Sequence, residues 1–223
     1  SIEHKSVLEA MKRLETPGCE VDYVAPDHTG RISAEALLAL VKDTTLLVSV
    51  MHINSETGII QPVEEIGEAL SKTNVYFHVD ATQSFGKLND VIRNMKYDML
   101  SFTAHKFGGP QGVGGLVLRR KRYKLPQITS LFCGGQQERG IRPGTTPVAL
   151  IAGMTTAAEI ADSECAEQQA KCAAIKEDLL KHLEGVRYTI NGAPEHCISN
   201  TINISFDGVD AESLFVALKA EYA

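Results

Sequence analysis

Lys106 stands in "SFTAHKFGGPQGVGGL", between a short apolar run and a loop of glycines and directly after His105. An amine at the end of an apolar strand can be partly desolvated. Its pKa then falls far enough for the free base to attack a carbonyl and form a Schiff base. Two other polar clusters follow apolar runs in the same way. "MHINSE" offers His52, Asn54, Ser55 and Glu56, and "HVDATQS" offers Asp80 and Gln83. Ligands of open α/β sheets bind just beyond the carboxyl ends of the strands, so three such clusters on one sheet point to a shared site.

An acid at the end of a neighbouring strand suits an aldehyde cofactor with a pyridine ring, because an anionic partner keeps the ring nitrogen protonated and the ring electron-withdrawing. Asp80 fits that role. The glycine loop is no nucleotide phosphate loop, which needs GxxxxGK[ST] opening a helix, whereas "GGPQGVGG" leads into a strand. Its glycines read as a tight turn or hairpin that needs positive φ angles. His4, His52, His78 and His105 lack the cysteine or carboxylate spacing of a metal centre, and no metal is expected. His78 alternates into a strand and reads as a packed core residue.

The elements that must position these groups follow from periodicity. Val7, Leu8, Met11 and Leu14 mark a helix, "CEVDYV" a short strand, and "SAEALLALV" a second helix. "TTLLVSVM" and "NVYFHVD" read as buried parallel strands, with "PVEEIGEAL" as the helix between them and Pro62 in its first turn. "DMLSF" and "GGLVL" read as two more strands flanking the glycine loop. From Pro147 to about Glu184 the chain is helical, with one expected bend or break; "VRYTIN", "SNTINISF" and "DAESLFVALKAEYA" then give strand, strand and helix. The alternation predicts an α/β sheet in residues 1–160, followed over 161–223 by a connecting helix and entry into a smaller α+β domain.

The chain has 223 residues, 43% hydrophobic and 22% charged, with net charge -6, enough for a real core and unlike a nucleic-acid-binding surface. No apolar run reaches the roughly 18 residues that span a bilayer, and the expected setting is the cytoplasm, without a membrane partner. The five cysteines, Cys19, Cys133, Cys165, Cys172 and Cys197, are scattered and contain no CxxC pair, which predicts free thiols.

"EHKSV", "HVDATQSFGKL", "SFTAHKFGGPQGVGGL" and "GGQQERGIRPGT" together resemble the NifS-like cysteine desulfurases, within the class V aminotransferase group of pyridoxal-phosphate enzymes. The resemblance runs through nearly the whole chain. It implies a three-layer α/β/α, mostly parallel sheet of the pyridoxal-phosphate-dependent transferase large-domain type, with the start of a small α+β domain. It implies that Lys106 holds pyridoxal 5'-phosphate as a Schiff base, that Asp80 pairs with the pyridine nitrogen, and that His4 stacks on the ring. Gln83 would hydrogen-bond the phenolic oxygen. Thr103 and His105 would hold the phosphate, and Thr145 would reach the phosphate of the neighbouring subunit in a homodimer with shared sites. The implied reaction converts L-cysteine to L-alanine, with the sulfur leaving as a cysteine persulfide for an acceptor protein.

Where the family has a second asparagine in its HxNN stretch, near the phenolic oxygen and substrate carboxylate, this chain has Ser55, whose shorter hydroxyl can still hydrogen-bond. The family's N-terminal phosphate loop, nucleophilic-cysteine loop and carboxylate-binding arginine are expected to fall outside residues 1–223. Cys133 would then be only a neighbour of the site, and the chain is expected to keep its cofactor groups without full desulfurase activity. Two other readings stay open: a selenocysteine lyase with the same cofactor residues, and a non-catalytic dimeric scaffold that binds sulfur acceptors.

Overall fold

Four short strands carry the first of two compact units, formed by Ala34–His52 and Pro62–Cys165. The computed structural model describes residues 2–15 and 18–222. Strand β1 (Leu47–Met51) pairs parallel with β2 (Tyr76–Asp80), β2 pairs parallel with β3 (Met99–Thr103), and β3 pairs antiparallel with β4 (Gly114–Leu118). Helices α3 (Val63–Leu70) and α4 (Asn89–Asn94) lie in the two crossovers, whereas β3 returns to β4 through a hairpin. The mostly parallel α/β sheet is therefore as expected, with a reversed strand at its edge.

The two faces of this sheet differ in chemistry. Phe77, Val79 and Leu100 are fully buried beside Val50, and α3 buries Val63, Ile66 and Leu70. Each such side chain contributes roughly 1.5–3 kcal/mol of apolar burial. The alternate positions include the polar Ser49, His78 and Ser101. His78 Nδ1 lies 2.8 Å from Ser49 Oγ and its Nε2 lies 3.0 Å from Ser101 Oγ, a chain across three strands. His78 is thus half-buried and bonded at both nitrogens, where alternation alone predicts a packed core residue. Burial lowers its pKa against the opposing pull of Asp80, which favours a neutral ring that donates to one serine and accepts from the other.

At the amino ends of these strands a buried ion pair closes the sheet. Asp98 Oδ2 accepts from the Phe77 backbone N–H at 2.9 Å and from Lys121 Nζ at 3.0 Å. Lys121 also donates to the carbonyl oxygens of Val75 at 2.5 Å and Leu70 at 3.4 Å.

Helix α2 (Ala34–Ala39) precedes β1, and the long α5 (Val148–His182) begins in this unit. α5 runs for 35 residues, so of the expected bend or break, a break is absent. Past Gly153 its sequence contains neither proline nor glycine, and the pairs Glu167–Lys171 and Glu177–Lys181, each at 2.7 Å, add support along the exposed side. The sequence pattern does not reveal α4. Its place is set by α5: Arg93 grips both oxygens of Asp162 at 2.6 and 2.7 Å, and Asn89 Nδ2 donates to Asp162 Oδ1 at 2.8 Å.

The second unit comprises Ser1–Ser33, Ile53–Gln61 and Ala166–Ala223. It holds α1 (Lys5–Leu14), the antiparallel pair β5 (Tyr188–Ile190) and β6 (Ile204–Phe206), and α6 (Ala211–Tyr222). Ile59, fully buried, bridges to Cys197, and Gln61 joins the Ile32 N–H to the Gly30 carbonyl through both ends of its amide. "CEVDYV" forms no strand: alternation supplies one half-apolar side, but no partner strand pairs with it among the described residues, and Tyr23 is held instead by its hydroxyl on Glu15 at 2.6 Å. Among the described residues no helix is long and apolar enough to cross a membrane, and no group of histidine, cysteine or carboxylate side chains could hold a metal.

Candidate functional site

Parallel pairing brings the carboxyl ends of β1, β2 and β3 to one edge of the sheet. Asp80, the last residue of β2, is only 7% exposed. Its backbone is locked on one side, where its carbonyl accepts the His52 N–H at 2.9 Å, and the next residue is locked on the other, where the Ala81 N–H reaches the Ser101 carbonyl at 2.8 Å. Its Oδ1 accepts the Thr82 N–H at 2.9 Å; Oδ2 takes no hydrogen bond among the described residues. A carboxylate offers about four acceptor positions, so this one is fixed in place with capacity to spare.

His52 follows β1 on the same edge. It is 1% exposed, its Nδ1 has no partner among the described residues, and burial pushes its pKa down to about 4. The ring is neutral at neutral pH and belongs to the packed floor of the edge.

One strand over, Thr103 ends β3 and the chain turns through a short 3₁₀ segment, Ala104–Lys106. Thr103 Oγ1 lies 3.0 Å from His105 Nδ1, so these two side chains meet. The turn is closed by Gly109 N–H on the Ala104 carbonyl at 2.9 Å and by Ala104 N–H on the Val113 carbonyl at 3.1 Å. Ala104 is fully buried, whereas His105 and Lys106 are exposed. The expected partial desolvation of Lys106 is therefore absent: the turn spends its apolar contact on Ala104 and directs the next two side chains outward.

Beneath the turn lies an aromatic cluster. Phe85 stacks on Phe102 with centroids 4.2 Å apart and an interplanar angle of 8°, and Phe107 tilts against Phe85 at 5.0 Å. The glycine loop serves this packing. A Cβ at Gly115 would run into the Phe102 ring, and Gly108 has φ +86°, which only glycine adopts without strain. The loop thus behaves as the tight hairpin that its composition predicts. Gln83, three residues beyond Asp80, is half-buried, and its Oε1 accepts from Lys87 Nζ at 3.2 Å. Thr145 is exposed in irregular chain of this same unit.

His4 and Ser55 belong to the other unit. His4 is exposed and caps α1, its Nδ1 accepting the Ser6 N–H at 3.2 Å. Ser55 is half-buried, and its hydroxyl donates to Glu56 Oε1 at 3.4 Å. Asn54 between them proves structural. Its Oδ1 accepts from the N–H groups of Glu56 and Thr57 at 3.0 and 2.9 Å, and its Nδ2 donates to the Ile2 carbonyl at 2.9 Å. It fastens the segment leading into His4 to the turn that carries Ser55. The readable signal is an asparagine ahead of Ser-Glu-Thr-Gly, a side-chain-closed turn.

The donor set of the sheet unit suits pyridoxal phosphate: a buried carboxylate with unused acceptors, a hydroxyl–imidazole pair able to donate to a phosphate, and an accessible primary amine. The family description "Aminotransferase class-V" matches residues 1–223. The chain is 44% identical over 220 residues to cysteine desulfurase IscS of Serratia proteamaculans and 43% identical over 218 residues to that of Edwardsiella ictaluri, covering 97% of this chain and 54% of each relative. It spans about half the length of these curated relatives. Among solved structures, DndA from Streptomyces lividans superposes with a TM-score of 0.90 at 42% identity, covering 98% of this chain and 62% of that one. A NifS-like protein gives 0.91 at 38% identity, covering 98% of this chain and 60% of that one. SspA in complex with cysteine gives 0.78 at 33% identity, covering 97% and 59%.

Proposed function

The chain belongs to the aminotransferase class-V family, with NifS-like cysteine desulfurases as its relatives, and from that premise we propose that it is the cofactor-holding part of a pyridoxal 5'-phosphate-dependent cysteine desulfurase. The observation that carries the reading is Asp80: a carboxylate buried at the carboxyl edge of a parallel sheet, fixed by its backbone and by Thr82, with an oxygen left over. Unlike Asp98, it makes no ion pair among the described residues, and a buried carboxylate without a cationic partner is suited to a cationic ligand.

In this reading Asp80 Oδ2 holds the proton on a pyridine nitrogen. Thr103 Oγ1 and His105 donate to the phosphate, and Thr145 serves the phosphate of a second subunit in a homodimer. Gln83 donates to the phenolic oxygen, with Ser55 near the substrate carboxylate. His4 would stack on the ring. Lys106 would hold the cofactor through Nζ and would serve as the general base that moves protons at the substrate carbon of L-cysteine. When bound, the cofactor supplies an electron sink. The sulfur passes as a persulfide to an acceptor protein, and the work takes place in the cytoplasm. Residues 1–160 are assigned as the cofactor-binding domain and 161–223 as the connecting helix and the start of a smaller one.

The test is to mix the 223-residue chain with pyridoxal phosphate, reduce with borohydride and map the modified peptide. The expected result is a near-visible absorption band and a reduced adduct on Lys106, both lost in Lys106→Ala with its melting temperature unchanged. An adduct at another lysine, or an identical spectrum in the variant, would overturn the assignment.

A further inference from the structure

Away from this site, one thiol and one amine are held face to face. Lys176 Nζ, on α5, lies 3.3 Å from Cys197 Sγ, and both residues are half-buried in the same compact unit. The amine is not free to swing away: it also donates to the Thr201 carbonyl at 2.8 Å and the Ile198 carbonyl at 3.4 Å. The sulfur is equally confined, 3.3 Å from the Thr201 carbonyl and 3.4 Å from that of Thr57. On another side, a Cβ added at Gly58 would come within 3.0 Å of Sγ, so the chain backbone packs closely there.

Lysine is among the side chains with the most rotameric freedom, and holding one against a sulfur removes much of the entropic cost of joining them. The gap of 3.3 Å is too long for a direct sulfur–nitrogen bond, and one bridging atom would join the pair after a small further approach. We propose that Cys197 and Lys176 form a reversible N–O–S cross-link, a covalent modification site whose oxidant is a hydroperoxide. A first molecule of the hydroperoxide, here hydrogen peroxide, oxidises the thiol to the sulfenic acid and leaves as water. A second removes one hydrogen from the Lys176 amine and the hydroxyl hydrogen of the sulfenic acid as the N–O bond closes, and leaves as two waters. The product, Cys–S–O–NH–Lys, gains one oxygen and loses two hydrogens relative to thiol plus amine. Two equivalents of a dithiol reverse it: S–O cleavage returns the thiol and leaves Lys176 as the hydroxylamine, and a second two-electron reduction breaks the N–O bond, restoring the amine and releasing the oxygen as water. The bridge ties α5 to the stretch that leads into β6.

The experiment exposes the 223-residue chain to hydrogen peroxide at mildly alkaline pH, alkylates free thiols, digests with trypsin and maps the peptides by mass. The expected product joins the Cys197 peptide to the Lys176 peptide with one oxygen added and two hydrogens lost. Cleavage after Lys176 disappears, and dithiothreitol restores both. Cys19 and Cys133, both exposed, report general thiol oxidation in the same digest. Lys176→Arg keeps hydrogen-bond donors near the sulfur but has no primary amine. It is expected to lose the cross-link while its melting curve shows a folded chain. The proposal fails if Cys197 is recovered only as thiol, sulfinic or sulfonic acid, or in a disulfide. It fails equally if the cross-linked mass lacks the added oxygen or persists in Lys176→Arg.

Discussion

Two buried aspartates sit at opposite ends of the same sheet and are used in opposite ways. Asp98, at the amino end, is 8% exposed and takes two hydrogen bonds on Oδ2, from the Phe77 N–H and from the Lys121 ammonium, which itself is tied to two carbonyls. Asp80, at the carboxyl end, is 7% exposed and accepts a single hydrogen bond, from Thr82. The first closes the structure; the second is held still by its backbone and kept available. Equal burial therefore says little about role, and the partners decide it.

The comparison breaks most directly by neutralising each in turn. Asp98→Asn leaves the Lys121 ammonium buried without its counter-ion and is expected to cost about 3–5 kcal/mol in urea unfolding. Asp80→Asn keeps the Thr82 bond on its amide oxygen but loses the charge assistance and should cost about 1 kcal/mol, while affinity for pyridoxal phosphate drops steeply. Equal losses of stability in the two variants would erase the distinction.

His52 sharpens it through pH. Its folded pKa of about 4 lies below the unfolded value of 6.5, so the unfolded chain binds the extra proton first. The contribution is whole above pH 6.5 and is lost as pH falls toward 4, by roughly 3 kcal/mol at about 1.4 kcal/mol per pKa unit. His78 shifts in the same direction from burial, so His52→Gln should flatten part of the slope in unfolding curves between those two pH values, not all of it. A variant with the full wild-type slope would mean that this ring is not the neutral floor of the edge. Gly108→Ala forces an L side chain to φ +86° with open space around it. About 1–2 kcal/mol of strain is expected from melting, with the Asp80 end of the sheet undisturbed.

Much of this was legible in the residues. The buried runs around Val50 and Val79, the hairpin glycines and the polar strand ends each carry a local signal, and the sheet follows from their order. What was hidden depends on partners distant in sequence. α4 is held by Asp162, far along the chain, and "CEVDYV" has a strand's alternation but no strand to pair with. The exposure of Lys106 turns on which residue of a three-residue turn faces inward, and periodicity does not report that. Asn54 was visible as a polar strand-end residue, but its role as a fastener of the segment before His4 appears only once Ile2 is placed beside it.

The hairpin between β3 and β4 bears on the order in which the chain assembles. Its last pair, Thr103 with Gly114, joins residues near in sequence, whereas Asp80 is brought to its place only when parallel strands pair across whole helical crossovers. Local pairings close with less loss of chain entropy and therefore sooner. The turn bearing Lys106 is thus expected to exist, as a small preformed handle, before the carboxylate edge that gives it a purpose.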